Sequence, residues 1–346
     1  MTDSSPGASP AAGSHPGSDC WAHPSVLLVA ADLSDLGRLM PFALEQAVET
    51  KARLILLHVL APSIPISADG VGMPYFDPGG ALDLADQALS PWCEVACRKD
   101  VSCDAVVREG NAARQIEDAI REFQADRVLL GTRSRGKLGK LLLGSVAEQV
   151  LRSVNLPVIT VGPEAHLPVA GGGRKRVVLY ATTLRETSRP SAALACQIAA
   201  SQGAKLVLLH VLPPLDEPTS DTSEWTGRSG QPSGLDHAAL HELRILAAQT
   251  GATCCSAVEA HVVHGNPSIE ILAEASEREA TLIVLGATER SAFQNLTRDR
   301  TIYQVLAHAR CPVLTLREMH GSLYAEDREV VSSAVGSEGK KAETRR

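Results

Sequence analysis

The sequence predicts an α/β protein built twice over, each copy a parallel sheet with helices on both faces. Two observations carry this. Short apolar runs of strand length alternate with longer stretches of helical spacing, the pattern of βαβ units. The series then restarts: LILLHVL at Leu54–Leu60 returns as LVLLHVL at Leu206–Leu212, about 150 residues on. A spacing that long marks a duplicated domain rather than a solenoid repeat.

In the first copy, Ser25–Ala31 reads as a buried strand ending at Asp32. Asp35–Thr50 has helical spacing through Leu36, Leu39, Met40, Ala43, Leu44, Ala47 and Val48. Leu54–Leu60 is the second strand, and 61–80 a loop rich in Pro and Gly. A helical pattern over 81–99 leads to a third strand, Cys103–Arg108, closed by Gly110-Asn111. Ala112–Phe123 is a helix with Ile116 and Ile120 on one side.

The most informative stretch is Val128–Val161. Val128-Leu129-Leu130 is a short strand that stops at Gly131. A basic loop follows, with Arg133, Arg135, Lys137, Lys140 and no acid. Gly144-Ser145 then opens a helix, expected to bury Val146, Val150, Leu151 and Val154. Pro157 bars its continuation, and Val158–Val161 is the last strand. A helix N-terminus offers unpaired N–H groups and a partial positive charge. Glycines let backbone approach an anion, and the cations raise the local potential. The stretch reads equally as a phosphate cradle or as an ordinary connection with a solvated basic face. A P-loop is excluded because Leu138 follows Lys137 where the magnesium-binding hydroxyl is required.

The second copy repeats the elements at Val177–Ala181, Leu206–Leu212, 262–266, 282–286 and 311–316. The expected layout is an arm over 1–22, a first domain over 23–165, a linker over 166–174, a second domain over 175–317 and a charged tail over 318–346. Arm and tail are read as disordered.

Gly131, Ser134, Gly144 and Ser145, spaced G-x2-S-x9-G-S, together with SVAEQVL and LPVITV, resemble the nucleotide loop and closing elements of universal stress proteins. Ser134 stands where that motif has a second glycine. The resemblance spans about 24–163 and 174–317. It implies a Rossmann-like, five-stranded parallel sheet of order 3-2-1-4-5 in each domain, and pairing through last strands, either in a homodimer or within the chain. It also implies an ATP site, with or without Mg2+, and the absence of an export pattern adds a cytoplasmic location as an expectation. Asp32, beside Ala30 and Ala31, would contact the nucleoside, Val59 would line the adenine pocket, and the Leu130 backbone would face the base. Gly131, Ser134, Gly144, Ser145 and Val146 would surround ribose and phosphates.

The second copy departs from these positions: Asp32 becomes Thr183 (or Thr182 on a shifted alignment), and Ser134, Gly144 and Ser145 become Glu289, Asp299 and Arg300. An acid at the first turn occupies the anion site and repels phosphate. The expectation is one nucleotide site, in the first copy.

Composition narrows the rest. A formal charge of −7 and an isoelectric point near 5.9 argue against bulk nucleic-acid binding. Aromatics at 3% leave no base-stacking platform. There is no membrane-length apolar run and no signal-peptide pattern at the start. The eight cysteines lack paired C-x2-C spacing, which suggests cytosolic thiols. Cys93, Cys97 and Cys103 match no metal or redox spacing. His58 and His210 read as hydrogen-bonded core histidines. His237 and His241, with Cys254 and Cys255 downstream, have zinc-like spacing but no closed four-ligand pattern. No nucleophile–base–orienter set is visible, so no catalytic residue is assigned. The leading expectation is a nucleotide-responsive module with a protein partner the sequence does not name. A nucleotide-free pairing protein, and an adenylyl transferase or flavoprotein subunit, are the alternatives.

Overall fold

A computed structural model describes residues 23–61, 78–132, 143–165, 175–185, 188–214, 234–249, 257–288 and 301–318. The expected arm, the linker over 166–174, the tail beyond Glu318 (which itself ends the last strand), the loop cations and Ser134 lie outside these residues. So do Glu289, Asp299, Arg300, Cys254 and Cys255.

The first half runs β1 (Val26–Ala30), a 3-10 turn (Leu33–Asp35), α1 (Leu36–Thr50), β2 (Arg53–Leu60), α2 (Pro78–Cys97), β3 (Cys103–Glu109), α3 (Ala112–Phe123), β4 (Arg127–Gly131), α4 (Ser145–Ser153) and β5 (Val158–Val161). The second runs β6 (Val177–Ala181), α5 (Arg189–Ser201), β7 (Lys205–Leu212), α6 (Gly234–Gln249), β8 (Ala257–His264), α7 (Pro267–Glu277), β9 (Leu282–Thr288), α8 (Thr301–His308) and β10 (Val313–Glu318). The helix expected from Asp35 starts one residue later, after the turn that Asp32 caps. The helix expected over 81–99 is displaced toward the N-terminus.

The strands form one sheet of order β3-β2-β1-β4-β5-β10-β9-β6-β7-β8. Each half is parallel with the order 3-2-1-4-5, as the resemblance implied. The halves meet where β5 and β10 pair antiparallel, Ile159 opposite Leu314. That seam is pseudo-symmetric. Thr160 Oγ1 donates to the Val313 carbonyl at 3.3 Å, and Thr315 Oγ1 donates to the Val158 carbonyl at 3.2 Å. Each buried hydroxyl therefore has an acceptor on the opposite strand, which removes the cost of burying it.

The apolar runs are buried on both faces, as parallel strands covered by helices must be. Along β1, Leu27 and Val29 enter one core and Leu28 the other, and each core continues across the seam into the second half. The duplication reaches the turns. Gly110 and Gly265 each have positive φ, +132° and +148°, and precede Asn111 and Asn266, whose side chains cap the next helix. Among the described residues no helix is long and apolar enough to cross a membrane.

One side chain stands differently from its sequence reading. Val146 is 38% exposed; Ala147, Val150, Leu151 and Val154 make the buried face of α4 instead. Val146 sits in the first turn of α4, next to the Gly144 cap. The fourth strand, read from Val128, starts one residue earlier at Arg127, whose side chain is only 1% exposed. Its Nη1 donates to Gln46 Oε1 at 3.1 Å. Burial lowers its pKa to about 10, which Asp126 partly opposes, so it remains a cation at neutral pH.

Candidate functional site

β1 and β4 are neighbours whose crossovers lead to opposite sides of the sheet order, so their C-terminal ends form the topological switch point, the crevice at which open α/β sheets take ligands. Ala30 lies beside Leu57 of β2 and Leu130 of β4. Ala30, Val59 and Leu130 face the same core as α4, giving a short apolar wall next to that helix. Beyond it, the Ala31 N–H donates to the Leu57 carbonyl at 3.0 Å. His58 Nδ1 lies 2.8 Å from the Ala31 carbonyl. Since a carbonyl only accepts, that nitrogen carries the hydrogen. The histidine thus ties down the strand end from which Asp32 projects, and its role is structural.

Asp32 is half-buried, and its Oδ1 accepts from the N–H and the hydroxyl of Ser34, both at 3.0 Å. The carboxylate therefore caps its own turn while standing at the crevice.

At the helix side, Gly144 is the N-cap of α4, with φ −65° and ψ 145° and no side-chain cap. Its N–H donates to the Thr132 carbonyl at 3.0 Å, and its carbonyl accepts from the Glu148 N–H at 2.9 Å. Ser145 and Val146 follow, both exposed. Just before the cap, the Leu143 N–H donates to the hydroxyl of Tyr303, 3.2 Å away in the second half. Nothing local announces this contact, because 160 residues separate the partners.

Gly131 has a packing reason of its own. A Cβ there would stand 2.8 Å from Asp35 Oδ2 and 3.2 Å from an Arg38 Nη. Asp35 and Arg38 form a largely buried ion pair at 2.9 Å against the end of β4. Their i, i+3 spacing in the first turn after β1 was the available sequence signal.

The second half shows the same scaffold without the carboxylate. The Thr182 N–H donates to the Leu209 carbonyl at 3.0 Å, and His210 Nδ1 lies 2.8 Å from the Thr182 carbonyl. Thr182 thus corresponds to Ala31 and Thr183 to Asp32, which resolves the alignment left open by the sequence. Thr183 is exposed, and Thr182 Oγ1 accepts from the Leu184 N–H at 3.1 Å. His237 and His241 are exposed on α6, and among the described residues no group of three or more His, Cys, Asp or Glu could hold a metal ion.

The fold and crevice define a tandem α/β protein whose halves close on each other through their last strands. The model of the universal stress protein family matches residues 25–162 and again 175–317. The chain belongs to the universal stress protein family, with one copy of its domain in each half. A universal stress protein of Mycolicibacterium smegmatis is 26% identical over 307 residues, covering 84% of this chain and 96% of its own length. One from Thermus aquaticus is 31% identical over 137 residues, covering 39% of this chain and 96% of its own. Among solved structures, a universal stress protein from Archaeoglobus fulgidus DSM 4304 superposes with TM-score 0.62 at 20% identity, over 85% of this chain and 98% of that one.

Proposed function

We propose that the first half binds an adenine nucleotide, ATP with or without Mg2+, and that the chain is a nucleotide-responsive regulatory module of the cytoplasm. The supporting observation is the convergence of the Gly144 helix start, free of a side-chain cap, with Asp32 and the Ala30–Val59–Leu130 wall at the β1/β4 crevice. The wall suits adenine, the carboxylate suits ribose hydroxyls, and the helix N–H groups suit phosphate. Ser134 and the loop cations complete this reading from the sequence. The second half, with Thr183 for Asp32 and Asp299 for Gly144, serves packing. Nucleotide occupancy would favour one arrangement of the loop and its surroundings, which a protein partner reads.

Isothermal titration of the full chain with ATP and Mg2+ tests this, with one site per chain expected. Asp32→Ala should weaken binding by about 10- to 100-fold, the worth of one hydrogen bond to a charged group. Two equivalent sites, or no binding at all, would overturn the reading.

A second reading has observations of its own. Asp32 already caps a turn, and Gly131 leaves room for the Asp35–Arg38 pair. Both features would persist in a nucleotide-free protein working through pairing alone. An apo chain under excess ATP would favour it.

A further inference from the structure

Cys93 of α2 and Cys103 at the start of β3 hold their sulfur atoms 3.0 Å apart. That is inside ordinary sulfur–sulfur contact and about 1 Å beyond a covalent bond. The geometry points to a thiol-oxidation site here: the two cysteines form a reversible intrachain disulfide with hydrogen peroxide as oxidant.

Several independent features favour it. Both residues are half-buried rather than sealed in the core. Cys103 lies on β3, an outer edge strand of the sheet, and packs against the core that α2 covers. α2 ends only a few residues before β3 begins, so the link closes a short loop and needs no rearrangement of the sheet. In the second half, Val258 occupies the register position of Cys103, since Leu54 pairs with Cys103 as Leu206 pairs with Val258. Packing at this edge therefore does not demand sulfur, and the pair belongs to the first half. By contrast, Cys196 and Cys311 are buried in the cores.

The order of events follows from the environment. Burial and the neighbouring Cys93 raise the Cys103 pKa, keeping that thiol protonated and a poor first nucleophile. The Cys93 thiolate attacks one peroxide oxygen; the O–O bond breaks, hydroxide leaves and takes a proton, and Cys93 becomes a sulfenic acid. The Cys103 sulfur then attacks the Cys93 sulfur. The S–S bond forms, the S–O bond breaks, and a second water leaves with the Cys103 proton. Two thiols give up two electrons and two protons to one peroxide. Cys97, exposed one turn after Cys93, is not part of the link.

The test uses the reduced full chain, treated with hydrogen peroxide, alkylated and digested with trypsin without reductant. Arg98 and Lys99 lie between the two cysteines, so the disulfide would join two separate peptides. The expected result is that joined pair, about 2 Da below the sum of the thiol peptides and released by dithiothreitol. The joined pair should survive Cys97→Ser and be lost in Cys93→Ser. Loss of the joined pair in Cys97→Ser would overturn the assignment. So would a Cys103 that stays fully alkylatable in the wild-type chain while Cys93 or Cys97 proceeds to sulfinic acid.

Discussion

Tyr303 belongs to the trailing half, yet its hydroxyl accepts the backbone N–H of Leu143, the residue before the α4 cap of the leading half. Tyr303→Phe removes one oxygen and leaves the ring packing intact. Tyr303 and Leu143 are each 6% exposed, so water does not readily replace the lost acceptor. A buried donor left without a partner costs about 1–3 kcal/mol. For a cooperative unit of this size each kcal/mol lowers the melting midpoint by roughly 2–4 °C, so a fall of about 2–12 °C is expected. Where the 143–144 backbone relaxes to recover the hydrogen bond, the cap moves and ATP affinity falls instead, by about 5- to 150-fold for the same free energy. Differential scanning calorimetry and ATP titration on the same preparation read both effects. A midpoint within about 1 °C of the parent, with unchanged ATP affinity, would refute the claim that the second half holds the first half's helix start.

Two further outcomes follow from contacts already described. Gly131→Ala drives a methyl into the Asp35–Arg38 pair and should destabilise the first half by about 1–3 kcal/mol in urea unfolding; an unchanged midpoint would mean the pair moves aside freely. His264 lies 2.7 Å from Asp236 Oδ1 through Nε2 and 3.1 Å from the Pro213 carbonyl through Nδ1, two acceptors that favour the doubly protonated ring. The hydrogen bond to Asp236, and then that to Pro213, raise its pKa above the ordinary 6.5. Its contribution is therefore fully present below about pH 6.5 and lost as pH rises through the folded value. His264→Gln should flatten that part of the stability profile, and a profile identical to the parent would sink the assignment.

Much of this protein was legible in order along the chain. Apolar runs such as Leu54–Leu57 mark strands buried on both faces, and LVLLHVL marks the duplication without any structure. The histidines in those runs were readable as core groups, because a polar ring in an apolar strand needs a local partner. The placement of Asp32, Val59 and Gly131 at or next to the C-terminal ends of adjoining parallel strands was also visible, since each closes or follows an apolar run of strand length. Val146 differs because helical period groups residues by face but does not say which edge of the stripe packs in the first turn, where Ala147 is buried and Val146 is not. Arg127 was passed over because charge argues for exposure, and only the packing of α1 against β4, which brings Gln46 to it, reverses that.

The amino-acid order by itself determined the strands, the helices, the two copies and the divergence of the second, since each depends on neighbours within a few residues or on direct repetition. Tertiary structure alone decided that the expected last-strand pairing is made within the chain, β5 against β10, that Tyr303 reaches Leu143, that Asp35 and Arg38 lean on Gly131, and that Cys93 meets Cys103. These contacts depend on the angles and register at which finished elements pack, and no local period in the chain encodes them.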